Sequence, residues 1–201
     1  GVTQYNYDPE KAVQLLEEAG YSRGGDGIFQ KDGQRLSFDI MTNAGNVERE
    51  AIALLMQDNL AQVGIEIETS FVEWTVMNER YLWVGDFDMV ISGVGWRADP
   101  DQYFRFHSSQ AEKNAEGRFT GQNQGAFRND EVDRLLEEGR RETDPAARAA
   151  IYADYQRLMS EELPYINLYA AIGTAAIPKD ITNVIVAQGE GPILPWLWRR
   201  D

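Results

Sequence analysis

Between residues 88 and 109 the chain reads DMVISGVGWRADPDQYFRFHSS, and no other stretch gathers so many groups that could do chemistry. An apolar strand runs into Gly93-Val94-Gly95, then Trp96 and Arg97, then Asp99 and Asp101. Glycines leave backbone N–H and C=O groups within reach of a ligand, a Trp offers a flat apolar face, and the aspartates offer fixed negative charge. Four chemistries are conceivable for such a set of residues. GVGWRA (93–98) fits G-x-G-x-x-A after a strand, the dinucleotide fingerprint, but that fingerprint belongs to a first strand–helix unit. Here it closes the third, with Asp99 and Pro100 where the helix would already be running. A calcium loop starting at Asp99 needs a glycine at its sixth place, where this chain has Phe104. A hydrolase elbow at Ser92 lacks its first glycine. His107 has no motif around it and reads as a surface or packing residue, so no nucleophile–base pair emerges. The fourth chemistry is ligand binding by backbone, aromatic face and charge, with helix capping of PDQYFRFH as the competing role for Asp99 and Asp101.

The elements that must position these residues follow from periodicity. YDPEKAVQLLEEAGY predicts a helix capped by Asp8, with Pro9 at its first position, an apolar stripe of Val13, Leu15, Leu16 and Ala19, and Gly20 as its stop. LSFDIMT (36–42) alternates like a strand. A helix from Asn46 through Val63 carries Ile52, Leu55, Met56 and Leu60, and Gly64 ends it. IEIETSF (65–71) predicts a strand with Ile65, Ile67, Thr69 and Phe71 on one face. A helix from about Thr75 to Val84 precedes a third strand, FDMVIS (87–92), apolar enough for a central place. Strand–helix–strand–helix–strand with short links predicts parallel pairing in an α/β fold. Residues 110–128 read as a polar loop. Two helices follow, one from Asn129 and one capped by Thr143 or Asp144 with Pro145 at its first position. Pro164 then breaks into a strand-like run, YINLYAAIGTAAI. The tail, with Trp196 and Trp198, reads as a segment needing a partner surface.

Composition removes several functions. The net charge is −14, so the chain is poorly placed to displace counterions from phosphates, and no nucleic-acid partner is expected. There are no cysteines and one histidine, so thiolate and multi-histidine metal sites are outside its means. No run reaches the roughly 18 apolar residues a membrane helix needs. No cofactor and no metal are expected.

In an open α/β sheet, ligands sit beyond the carboxyl ends of the strands. NAG (43–45), VEW (72–74) and GVGWRAD (93–99) all fall there. The candidate binding residues are therefore Gly93, Val94, Gly95, Trp96, Arg97, Asp99 and Trp74.

The chain also resembles a known family. YDPEKAVQLLEEAGY, LSFDIMTNAGNVEREAIALLMQDNLAQVGIEIE, GWRADPDQYF and DRLLEEGRRETDPAARAAIYADYQRLMSEELPYINLY are similar, in order, to segments of the family 5 extracellular solute-binding proteins of ABC transporters, the dipeptide- and oligopeptide-binding group. Each piece alone is loose; the ordered set covers most of the chain. The resemblance implies one lobe of a type II periplasmic-binding-protein-like fold, a mostly parallel sheet flanked by helices. It implies that residues 1–175 form the second lobe, and that 176–201 return to pack on a first lobe outside this sequence. The implied role is capture of a small solute in an interlobe cleft and delivery to a membrane permease, without catalysis. Peptide is the first ligand expected and oligosaccharide the second; other relatives bind nickel complexes. In peptide-binding members the aspartate at the position of Asp99 pairs with the ligand's α-amino group. Arg97 stands as a substitute candidate for the ligand carboxylate, and Trp96 would suit sugar stacking. The expected location is periplasmic or extracellular, membrane-associated only through a leader or anchor outside these residues. The competing class is a small α/β enzyme with a dinucleotide site.

Overall fold

A computed structural model describes residues 1–95, 99–170, 176–187, 191–193 and 195–200. The chain divides into two units, 1–92 with 101–164 and 93–100 with 165–201.

The first unit opens with helix α1 (Pro9–Glu18), where Asp8 accepts the Lys11 N–H at 2.9 Å and Pro9 takes the first position. Leu15, expected on its apolar stripe, is instead exposed. It lies about 200° around the helix from Val13, whereas Leu16 returns to Val13's side. A small antiparallel meander follows: β1 (Ser22–Arg23), β2 (Phe29–Lys31) and β3 (Gln34–Arg35).

The chain then builds β4 (Ser37–Asn43), α2 (Val47–Gln62), β5 (Glu66–Val72), α3 (Trp74–Asn78), a π-helical turn (Glu79–Val84) and β6 (Met89–Val90). The sheet order is β5-β4-β6, and both pairings are parallel. β4 and β5 run in register from Ser37↔Glu66 to Asn43↔Val72. Side-chain alternation puts Phe38, Ile40 and Thr42 of β4 on one face with Ile67, Met89 and Ile91. Ile40, Ala53, Ile67 and Ile91 form a buried cluster there, flanked by Ile52, Met56 and Leu60 of α2. Met41, on the other face, is also fully buried, so β4 is covered on both sides, as a central parallel strand must be. Asn46 caps α2 by accepting the Arg49 N–H. Gly64 turns the chain into β5 at φ +85°, where an added Cβ would sit 2.8 Å from the Gly27 carbonyl oxygen.

Three expectations change here. The strand at 87–92 is not central: β4 is, and β6 is a two-residue edge among the described residues. The Asp88 carboxylate accepts the Asp39 N–H at 2.9 Å, which occupies a donor that a longer β6 would have used. The predicted helix from 75 to 84 splits, because its last turn widens. The Arg80 carbonyl accepts from both Gly85 and Asp86, and Gly85 is left-handed at φ +72°. Phe71, predicted on the buried face of β5, is partly exposed at the strand's end.

Beyond residue 100 come α4 (Tyr103–Phe106), a 3-10 turn (Ser108–Ala111), α5 (Asp130–Arg141) and α6 (Pro145–Glu162). The polar stretch 110–128 is mostly irregular, as predicted, yet Ala111, Phe119, Asn123 and Gln124 are buried. Asn123 holds it inward, donating to the His107 and Phe127 carbonyls and accepting from the Phe127 N–H. Asn129 caps α5 through the Glu131 and Val132 N–H groups, and Asp144 caps α6 through Ala147. Val132, Leu135, Leu136, Tyr152 and Tyr155 bury the facing sides of the two helices.

In the second unit, β7 (Ile181–Thr182) pairs with β10 (Arg199–Arg200), and β8 (Ile185–Ala187) with β9 (Gly191–Ile193), all antiparallel. A single 3-10 turn, Pro195–Leu197, lies between them in the chain. The strand predicted at 165–177 is not seen in its described part. Residues 165–170 take no regular structure, and Ile166, Leu168 and Tyr169 are exposed.

Candidate binding site

The sheet's carboxyl edge is built by short polar ties. After β4, the Asn43 side-chain Oδ1 accepts from Arg49 Nη1 at 2.7 Å, and the Glu50 carboxylate accepts the Gly45 N–H at 2.7 Å. The Ala44 N–H donates to the Val72 carbonyl and extends the β4–β5 ladder by one bond. After β5, Glu73 caps α3 by accepting both the Thr75 hydroxyl and its backbone N–H. Those two bonds hold the Glu73 carboxyl below the usual carboxylate range. Trp74 follows as the first residue of α3 and is half exposed, at 50%. After β6, the Ile91 N–H donates to the Met41 carbonyl, and the buried Thr42 hydroxyl donates to the Ile91 carbonyl at 3.0 Å.

The remaining predicted residues belong to the second unit. Gly93, Val94, Gly95 and Asp99 are exposed, and a Cβ at Gly95 would meet nothing within 4 Å. Trp96 and Arg97 lie outside the described residues. Trp74 thus sits in one unit, and the described part of the glycine-aspartate segment in the other.

The capping role is taken by Asp101. Its Oδ1 accepts the Tyr103 N–H at 2.9 Å, while the cap residue Gln102 contributes no side-chain bond. Pro100 therefore precedes α4 by three residues and does not open it. Asp101 cannot serve Tyr103 in this way and leave room for proline at the first helical position.

A polar cluster that sequence reasoning did not single out lies just downstream. Asp101 Oδ2 is 3.4 Å from Arg140 Nε, and the Arg140 guanidinium sits 4.3 Å from the centre of the Tyr103 ring. Tyr103 stacks on His107 with centroids 4.1 Å apart. His107 is nearly buried. Its Nδ1 accepts the Ser109 N–H at 3.1 Å, and its Nε2 lies 3.4 Å from a Glu137 oxygen, within ion-pair range but without a hydrogen bond. The available signal was the spacing of Asp133, Glu137 and Arg140, which shares one face of α5. No group of three or more acidic or histidine side chains among the described residues is placed to hold a metal ion. No helix among them is long and apolar enough to cross a membrane.

An α/β body with a parallel sheet flanked by helices has the architecture of one lobe of the type II periplasmic-binding-protein-like class. Residues 1–115 match the model of the bacterial extracellular solute-binding proteins, family 5, and the chain belongs to that family. It is 36% identical over 184 residues to the oligopeptide-binding protein AppA of Bacillus subtilis, covering 90% of this chain and 32% of that protein. It is 28% identical over 184 residues to di/tripeptide-binding protein 2 of Pseudomonas aeruginosa, with the same two coverages. The structure of AppA in complex with a nonapeptide matches with a TM-score of 0.75, covering 82% of this chain and 32% of that one. NikZ of Campylobacter jejuni in complex with Ni(L-His) matches at 0.73, with 27% identity and the same coverages. The chain thus spans about a third of the length of the relatives it matches.

Proposed function

We propose that the full-length protein is the substrate-binding component of an ABC importer. It captures a short peptide between two lobes and delivers it to the membrane permease, without chemistry on the ligand. The observation that carries this reading is the 36% identity to an oligopeptide-binding protein along 90% of the chain. Residues 1–175 form the second lobe and 176–201 return to the first. The protein works outside the cytoplasm, in the periplasm or at the cell surface, held to the membrane by a segment outside these residues.

The ligand-binding residues in this proposal are Gly93, Val94, Gly95, Trp96, Arg97, Asp99 and Trp74. An extended peptide pairs its backbone with the open glycine segment as an added strand would. Asp99 takes the α-amino group, Arg97 is the substitute candidate for the ligand carboxylate, and Trp96 and Trp74 supply apolar surface. In a closed, drier cleft the charged pair contributes roughly 1.5–3 kcal/mol. Closure of two lobes around the ligand completes the desolvation.

The test offers the full-length protein a mixture of free and N-acetylated peptides of two to nine residues and reads the retained masses by native mass spectrometry. The wild type retains the free-amine forms by about tenfold or more over the acetylated ones, and Asp99→Asn loses that preference. Equal retention of both forms by the wild type removes Asp99 as the amine anchor. No retained peptide, or a ladder of hexose masses from the purified protein, overturns the peptide reading.

A further inference from the structure

The carboxyl edge of the sheet holds a cation that the proposed function does not use. Arg49 lies in the first turn of α2 and is half-buried. Its Nη1 donates to Asn43 Oδ1 at 2.7 Å, so the guanidinium stands where the central strand β4 ends. Among the described residues Arg49 meets no carboxylate, whereas Arg35, Arg118 and Arg134 each do. Of its neighbours in the chain, Glu50 turns to the Gly45 N–H at 2.7 Å, and Glu48 is exposed. Two local preferences are broken here. A positive charge in the first turn of a helix opposes the macrodipole. A part-buried charge without a counter-ion gives up hydration and gains no ion pair. The tie to Asn43 explains neither, because an amide oxygen accepts from a neutral donor as well. It engages one side of the guanidinium and leaves part of a planar fork that matches the two oxygens of a carboxylate. Exceptions of this kind are expected at functional sites.

The surroundings are built within the first unit and are open. Asn43 pairs with Val72, the last residue of β5, and the Ala44 N–H donates to the Val72 carbonyl at 2.7 Å. Trp74, half exposed, opens α3 just beyond. Ala44 and Gly45 are exposed, and a Cβ at Gly45 would meet nothing within 4 Å. Ligands of open α/β sheets sit beyond strand ends such as these.

We propose that Arg49 is a ligand-binding residue that takes the C-terminal carboxylate of the peptide, a place for which sequence offers only Arg97. Asn43 is its positioning residue, holding Nη1 at the end of β4. The assignment rests on the peptide-binding reading for its ligand.

The experiment uses the full-length protein and peptides of two to nine residues made in two forms, free acid and C-terminal carboxamide. Retained masses are read by native mass spectrometry, and each variant's urea midpoint is measured alongside. The wild type retains the acids by about tenfold or more over the amides. Arg49→Gln loses that preference by losing affinity for the acids alone. Arg49→Lys keeps part of the preference with amide binding unchanged, and decides the matter if Arg49→Gln shows no folding transition. Arg97→Gln keeps all of it. Equal weakening of acids and amides at Arg49 makes the residue a loop tie and overturns the proposal. So does a wild type that binds peptides without preferring the acids, or a preference lost in Arg97→Gln and kept in Arg49→Gln. A wild type that retains neither form overturns the peptide reading itself, and this assignment with it.

Discussion

At the residue scale, Gly139 shows how packing reverses a local preference. Alanine in a helix interior is better than glycine by about 1 kcal/mol. At Gly139, however, a Cβ would stand 2.8 Å from Tyr152 Cζ and 3.0 Å from its hydroxyl. Tyr152 is buried and packs edge-on against Tyr155, so it has little room to retreat. Overpacking of this kind costs roughly 1–3 kcal/mol, which exceeds the propensity gain. Gly139→Ala is therefore expected to lower stability by about 1 kcal/mol net in a urea titration; a variant as stable as the wild type would show that α5 and α6 can separate without cost. Sequence alone placed Asp8, Asn46 and Asn129 correctly at helix starts and narrowed the α6 cap to Thr143 or Asp144, because a cap depends on residues within one turn. For α4 it left Asp99 and Asp101 as alternatives, and the Tyr103 N–H bonds to Asp101.

At the element scale, three separate pieces of backbone meet on Arg35. This residue of β3 pairs with Asp26 in the turn before β2 and with Glu66 at the start of β5, at 2.9 Å for the latter. The Asp26 carboxyl is held low first by the Ile28 N–H and then by Arg35; the Glu66 carboxyl is held low first by Arg35 and then by Ser37. A carboxyl with a depressed folded value adds stability above its unfolded value, about 4, and loses it as pH falls through the folded one. Arg35→Met removes much of that contribution at neutral pH. The difference in thermal midpoint between wild type and variant is therefore expected to be largest near pH 7 and to shrink below about pH 4. It should also narrow with added salt, since the groups are exposed. A difference constant from pH 7 to pH 3 would assign the effect to packing of the Arg35 stem. The parallel sheet was legible because apolar runs of strand length alternate with helical periods. Strand order was not, since β6 carries as apolar a sequence as β4 and only the pairing decides which takes the centre.

At the scale of the whole molecule, the question is which part of the chain holds itself together. The first unit has apolar side chains on both faces of β4: Ile40, Ala53, Ile67 and Ile91 on one side, and the fully buried Met41 on the other. Val132, Leu135, Leu136, Tyr152 and Tyr155 add the α5–α6 contact. Each of these residues lies before Pro164. After it, the described chain exposes Ile166 at 66%, Tyr169 at 54% and Trp196 at 75%, and its strands are pairs of two or three residues, too short to stand alone. Truncation after Pro164 is thus expected to leave one cooperative urea transition, with stability within about 1 kcal/mol of the 201-residue chain. The exposed apolar residues described within 176–201 then fit the proposed return to a first lobe. Loss of the transition on truncation would mean that these residues are needed to hold 1–164 together, and the boundary between lobe and return segment would have to be redrawn.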